Sequence, residues 1–234
     1  MRFKAQTAIK IAGTAGHNNP TTTLQMDASN GLVASDFAAD NWSISYWVYT
    51  PDVLSVGQGA PYIFFAGGSL YHFNRHADHQ MKFKVGNASV FATSHYPFHD
   101  RWNHFVFTRD GSTVIIYHDN SVLTTLTISG TDVVGTSAPF TLGGKYGVSQ
   151  DYPQLKISQF TFHQKTLTAS EISLLYGGVG YEDLNGQQKL DLSILAWHDF
   201  MNDSANNQYG KNYNGGSSNY DFTAGDYDRV SLVG

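Results

Sequence analysis

Between Trp102 and Ile128 the chain reads WNHFVFT, RDGS, TVIIYHDN, S, VLTTLTI, three runs rich in β-branched and aromatic residues separated by two very short turns. The first turn is centred on Asp110 and Gly111, a pair that accepts the positive φ demanded by tight hairpin turns. The second, at His118 to Ser121, feeds the third run. Three consecutive antiparallel strands are therefore readable locally, and regular strands joined by polar turns point to a sandwich.

Other segments extend the pattern. SISYWVYT sets Ile44, Tyr46 and Val48 against Ser43, Ser45, Trp47 and Tyr49, and stops at Pro51 and Asp52. QMKFKV sets Met81, Phe83 and Val85 against Lys82 and Lys84, so both segments read as half-buried strands with one wet face. LKISQFTFHQ slips phase: Leu155 and Ile157 are odd, Phe160 and Phe162 even. A β-bulge at Ser158 or Gln159 would restore one inward face.

One short helix is announced by LTASEISLLYGG. Thr168 and Glu171 form a capping box, Leu167 and Ile172 a hydrophobic staple, and Gly177 closes the C-terminus. Ile172 with Leu175 or Tyr176 would face the sheet. From Asn202 to Asn219 the composition shifts to Asn, Gly, Ser and Tyr, which reads as a long loop, and DRVSLVG returns as a terminal strand. The expectation is one all-β domain over residues 1–234, with residues 177–234 as a loop-rich extension packed on it.

Composition narrows the function. Charged residues are 14% of the chain, below the roughly 25% of an average soluble protein. The formal charge is -5, and Lys82 with Lys84 is the nearest approach to a basic cluster, so nucleic acid is not an expected partner. No cysteine is present, which removes disulfides and thiolate metal sites. MRFKAQTAIKIAGTAG is broken by Gln6, Thr7 and Lys10 where a signal peptide needs an apolar core, so it reads as a mature N-terminus. No run approaches the ~18 apolar residues of a membrane span.

Taken in order, SISYWVYTPD, DRWNHFVFTRDGSTVIIYHDN, PFTLGG and LKISQFTFHQKTLTASEISLLYGG resemble the laminin G-like, concanavalin A-like superfamily over Trp42 to Tyr176. The chain departs from that pattern where His118, Asp119 and Asn120 replace the usual Val-Asp-Gly turn, and in the His-rich stretch from Tyr71 to Gln80. ILAWHDFMNDSANNQ is similar to the family's opening strand and Asp-rich loop but follows the helix, an order that resembles phage and other virion proteins. The resemblance implies a two-sheet antiparallel jelly-roll sandwich whose loops or concave face bind sugars, proteins or calcium. It implies no reaction.

Catalysis is disfavoured by carboxylate supply. Retaining glycosidases need a nucleophile and an acid about 5 to 5.5 Å apart. The chain has two glutamates: Glu171 caps the helix and Glu182 lies in a loop, while Asp226 and Asp228 lack the surrounding pattern. His72, His76 and His79, with Asp78 nearby, offer imidazole and carboxylate ligands, but their spacing fits no zinc pattern. The plainer reading is polar strand and turn surface, or residues at an oligomer axis. Calcium, the ion the resemblance implies, could be held by Asp203, Asn206 and Asn207 or by Asp226 and Asp228, residues that also populate turns without any ion. For glycans, Tyr96, His99, Tyr146 and Tyr152 lie in expected loops, where they could equally serve subunit contacts. Trp47 and Trp102 are expected inside the sandwich.

These features favour a non-catalytic virion structural or adhesion protein of a phage, acting in capsid decoration or tail attachment and binding glycans. Its expected partners are other virion proteins, a cell-surface glycan and further copies of itself. The alternative is a carbohydrate-binding module of a secreted, extracellular protein, and behind it a divergent polysaccharide hydrolase or lyase.

Overall fold

The computed structural model describes residues 7–11, 24–26, 32, 36–37, 39–49, 62–66, 70–75, 80–86, 88, 91–93, 101–129, 140–144, 155–180, 183–198, 222–223 and 228–231. In chain order the strands are β1 (Thr7–Ile11), β2 (Leu24–Met26), β3 (Asn41–Tyr49), β4 (Tyr62–Ala66), β5 (Leu70–Arg75), β6 (Gln80–Val85), β7 (Phe91–Ala92), β8 (Trp102–Asp110), β9 (Thr113–His118), β10 (Ser121–Thr127), β11 (Thr141–Leu142) and β12 (Leu155–His163). Helices α1 (Ala169–Tyr176) and α2 (Gly186–Asp191) follow, then β13 (Ile194–His198), β14 (Phe222–Thr223) and β15 (Asp228–Ser231).

Two antiparallel sheets result. The larger runs β10-β9-β8-β3-β12-β1-β15, and the smaller β14-β2-β11-β4-β5-β6-β7. β12 uses one edge twice: Leu155 to Ile157 pair with β1, and Phe160 to His163 pair with β13. The change of partner falls where the register against β3 shifts, between Ser158 and Thr161. There Gln159 takes a positive φ of 48° and its side-chain amide donates to the carbonyl of Val179 at 3.0 Å. This is the expected bulge, and it turns Ile157, Phe160 and Phe162 into the same core.

That core is strongly aromatic: Tyr46, Phe64, Phe83, Phe105, Phe107 and Phe140 are buried between the sheets. Phe64 meets Phe107 edge to face at 5.3 Å between centroids, a favoured arrangement of ring quadrupoles. The hairpin chemistry is also as expected. Gly111 has φ 57°, and in the second turn Asp119 and Asn120 are both left-handed, at 46° and 64°, which a two-residue turn matched to strand twist requires.

Three expectations are corrected. β3 has no wet face, since all seven residues from Trp42 to Val48 are buried. Its polar side, including Ser43, Ser45 and Trp47, is covered by a second apolar layer, a cluster that includes Val106, Leu167, Ile172, Leu175, Leu192 and Trp197. Among the described residues, two helices stand where one was expected. α2 opens with a capping box of Asn185 and Gln188, but it buries none of its residues and so carries no apolar periodicity to announce it. His72, expected on the surface, is fully buried on the inner side of β5.

α1 follows its sequence. Thr168 and Glu171 form the capping box, Ile172 and Leu175 are buried, and Gly177 is the cap, with the left-handed turn passed on to Gly178 at φ 71°. The segment after α1 supplies strands to both sheets, β13 and β15 to the larger and β14 to the smaller.

Candidate functional site

The outer side of the larger sheet is built in ranks, because directly opposite residues of antiparallel strands point to the same face. The first three ranks are sealed. Ser43 donates to the Lys165 carbonyl at 2.8 Å and accepts from the Leu167 amide at 3.0 Å, tying β3 to the segment that enters α1. In the next ranks Ser45 lies opposite Val106, and Trp47 opposite His104. Tyr176, at the end of α1, stacks on Trp47 with centroids 5.6 Å apart and planes 14° from parallel.

Within this sealed zone the Ser45 hydroxyl lies 2.8 Å from His104 Nε2. The pair is no nucleophile and base. A catalytic Ser-His pair needs access to substrate and a third group orienting the imidazole. Ser45 and His104 are buried, and among the described residues His104 Nδ1 has no hydrogen-bond partner. Burial, with a smaller contribution from His118, lowers the His104 pKa to about 3, so the ring is neutral.

The fourth rank emerges from under the helix layer. Trp102 of β8 lies opposite Tyr49 of β3, Tyr49 opposite Lys156 of β12, Lys156 opposite Lys10 of β1, and Lys10 opposite Asp228 of β15. Five strands at a spacing of about 4.8 Å make this rank roughly 19 Å long. Tyr49, Trp102 and Lys156 are all half-exposed. The two rings sit 5.9 Å apart at 59°, and Lys156 Nζ stands 5.0 Å from the centre of the Tyr49 ring. An apolar ring surface beside a cation and hydroxyl donors can receive the apolar face of a sugar while bonding its hydroxyls, the mixed lining that small-ligand sites use.

Beside the rank, the β9–β10 turn holds a polar group. Arg101 donates to Asp119 Oδ2 at 3.0 Å, and the other carboxylate oxygen accepts from the His104 amide at 2.9 Å. His118 Nε2 lies 3.0 Å from Asn103 Oδ1. Burial lowers the His118 pKa, opposed by Asp119 and reinforced by Arg101. The second turn is thus latched to β8 by a carboxylate, which gives Asp119 a structural task.

The residues singled out from sequence fare unevenly. Tyr96, His99, Tyr146 and Tyr152 lie outside the described residues, as do His76, Asp78, His79, Asp203, Asn206, Asn207, Asp226 and Glu182. Asp228 opens β15 and so stands on a strand, not in a loop. Among the described residues no group of three or more His, Asp or Glu is placed to hold a metal. His72 is surrounded by Phe64, Phe83 and Phe105 and bonded to Tyr46, an environment that isolates it from other ligands. Glu171 is committed to its capping box and to Lys165, whose Nζ lies 2.7 Å away.

Trp102 corrects an expectation: it lies on the outer face, in the phase of His104 and Val106, opposite to that of Phe105 and Phe107. The alternation of β8 carries that signal. The joining of Trp102 to Tyr49, Lys156 and Lys10 has no counterpart in local sequence.

No helix among the described residues is long and apolar enough to cross a membrane. No curated protein sequence matches the chain. Among solved structures, a candidate carbohydrate-binding protein of Bacteroides ovatus aligns at TM-score 0.67 and 12% identity, covering 99% of this chain and 61% of that one. The ligand-binding domain of botulinum neurotoxin serotype D, solved with N-acetylneuraminic acid, aligns at TM-score 0.48 and 14% identity over 59% of this chain and 36% of that one. Trypanosoma rangeli sialidase in complex with sialic acid aligns at 0.46 and 20% over 60% and 23%. The chain thus spans less than two thirds of each of these proteins, and at such identities the likeness concerns the fold. A laminin G-type family model, described as the concanavalin A-like lectin/glucanases superfamily, matches residues 21–173. With that match over more than half of its length, and with two antiparallel sheets of the matching architecture, the chain belongs to the concanavalin A-like lectin/glucanases superfamily.

Proposed function

We propose that this chain is a non-catalytic recognition domain that binds glycan on the outer face of its larger sheet, and that it serves as an adhesion or decoration protein of a virus particle. The observation that carries the binding half is the half-exposed rank of Trp102, Tyr49 and Lys156, brought together from three strands at the margin of the helix layer. The absence of catalysis is supported by the two glutamates in the whole sequence, one of which is consumed by the α1 cap. The particle setting rests on the order of the trailing ILAWHDFMNDSANNQ segment after the helix.

A second setting, a carbohydrate-binding module within a longer secreted protein, is favoured by the alignment to 61% of a larger candidate carbohydrate-binding protein. Binding to a glycan array, with and without calcium and chelator, tests the recognition reading. Trp102→Ala and Tyr49→Ala should each abolish most of the signal while leaving the circular dichroism unchanged. Binding that both variants retain would remove the site. Recovery of the chain as a stoichiometric component of purified particles would favour the virion setting over the secreted one.

A further inference from the structure

β8 outruns its partner on one side. Against β3 it is paired along its whole length, from Asp110 at Asn41 to Trp102 at Tyr49, whereas its pairs with β9 start at Asp110 and Thr113 and stop at Phe105 and His118. Trp102, Asn103 and His104 thus lie beyond the last β8–β9 pair, on a strand end of the kind where local opening concentrates. A ring that has to be ordered at the moment of binding subtracts that cost from affinity.

The β9–β10 turn takes over where β9 stops. Asp119 engages both main-chain groups of His104: its Oδ1 accepts from the His104 amide at 2.9 Å, and its own amide donates to the His104 carbonyl at 2.9 Å. On the other side of Trp102, Asn103 Nδ2 donates to the Arg101 carbonyl at 2.9 Å. Asn103 Oδ1 can only accept, so His118 Nε2, 3.0 Å away, donates to it. The peptide groups that precede Trp102 and follow Asn103 are therefore tied down by Asp119 and by His118 acting through Asn103.

We propose that Asp119 is a positioning residue for the recognition face: through its Oδ1 acceptor it holds Trp102 in its binding orientation before a glycan arrives, an inference that rests on the recognition reading above. The position makes two demands at once. Its backbone is left-handed, at φ 46°, and its side chain must carry a short acceptor that reaches the His104 amide. Asp and Asn meet both. The ion pair with Arg101, whose side chain is 49% exposed, contributes little in water. The acceptor, and not the charge, carries the task.

Acrylamide quenching of tryptophan fluorescence tests this on the full chain without any ligand. Trp42, Trp47 and Trp197 are buried and Trp102 is half-exposed, so Trp102 supplies the quenchable emission and Trp102→Phe the background. Asp119→Ala should raise the quenching constant of the Trp102 component about twofold, toward the accessibility of a frayed strand end. Asp119→Asn keeps the acceptor and the left-handed turn and should stay at the wild-type value. Measurements are made where the circular dichroism of each variant matches wild type, so that a general loss of stability does not move the readout. If Asp119→Ala does not fold, Asn103→Ala removes the other tie and takes its place, with the same rise expected. A quenching constant unchanged from wild type would overturn the proposal, as would an equal rise in Asp119→Asn. A wild type that binds nothing on a glycan array would instead remove the recognition reading and leave the quenching result standing.

Discussion

The phenolic oxygen of Tyr46, on the larger sheet, lies 2.5 Å from Nδ1 of His72, on the smaller, with both side chains fully buried. Burial raises the Tyr46 pKa well above 10.0 and lowers that of His72, first by desolvation and then through His118. Phenol and imidazole are therefore both neutral, and one hydrogen bond between them joins β3 to β5 across the core.

Removing one partner of this bond strands the other. Tyr46→Phe should destabilise the fold by about 1–3 kcal/mol in urea denaturation, because the buried Nδ1 of His72 loses its hydrogen bond to the phenol. Tyr46→Phe combined with His72→Phe should recover much of that loss, since both polar atoms are then gone. Additive losses in the double variant would refute the coupling.

Acid should unfold this protein through its histidines. His104 is lowered to about 3 and His163 to about 4, chiefly by burial, from 6.5, and His72 falls well below 6.5. These are bases with depressed folded values, so the unfolded chain binds more protons below pH 6.5. Their contribution is intact above about pH 6.5 and falls as the pH drops toward 4. At pH 5 the loss is about 2 kcal/mol for each of His104 and His163. Urea midpoints at pH 7.5 and pH 5 measure it, and His104→Phe should flatten the slope by about one proton. Equal midpoints at both pH values would contradict the assignment.

Arg109 is buried at the base of the first hairpin and donates to the carbonyls of Phe37 at 2.9 Å, Ala39 at 3.1 Å and Gly111 at 2.9 Å. Arg109→Met keeps the aliphatic bulk and leaves three carbonyls without their donor, at a cost of roughly 2–4 kcal/mol. Asp40→Ala, at the exposed end of the same guanidinium, should change stability by less than about 1 kcal/mol. Thermal melts of the two variants separate these outcomes.

The second turn allows a change of opposite sign. Asn120 is exposed and left-handed at φ 64°, and glycine adopts that conformation without a Cβ penalty. Asn120→Gly should stabilise by about 0.5 kcal/mol in urea denaturation. Asp119→Gly should destabilise, because Asp119 latches β8 through the His104 amide and Arg101.

The elements that the sequence announced are those whose physics is local. The Asp110–Gly111 turn, the phase slip at Gln159 and the Thr168–Glu171 box each depend on residues within a few positions of one another, and each stands where the pattern put it. α2 stayed hidden because it buries nothing. β3 looked half-wet because its outer row contains Ser43 and Ser45, whose hydroxyls are satisfied by Lys165, Leu167 and His104 beneath the helix layer.

What the sequence alone determined is thus a two-sheet β-fold with its hairpins, bulge and capped helix, together with a shortage of glutamate that argues against hydrolysis. Only the tertiary structure decided the candidate site. The rank from Trp102 through Tyr49, Lys156 and Lys10 to Asp228 joins five segments far apart in the chain. Alternation assigns a residue to one of two faces but says nothing of which strand lies beside it or in what register. Nor does it say which part of a face a later helix will cover. Long-range pairing sets the first and packing of the α1 layer the second, and together they leave Trp102 and Tyr49 half-exposed while sealing Trp47 and His104.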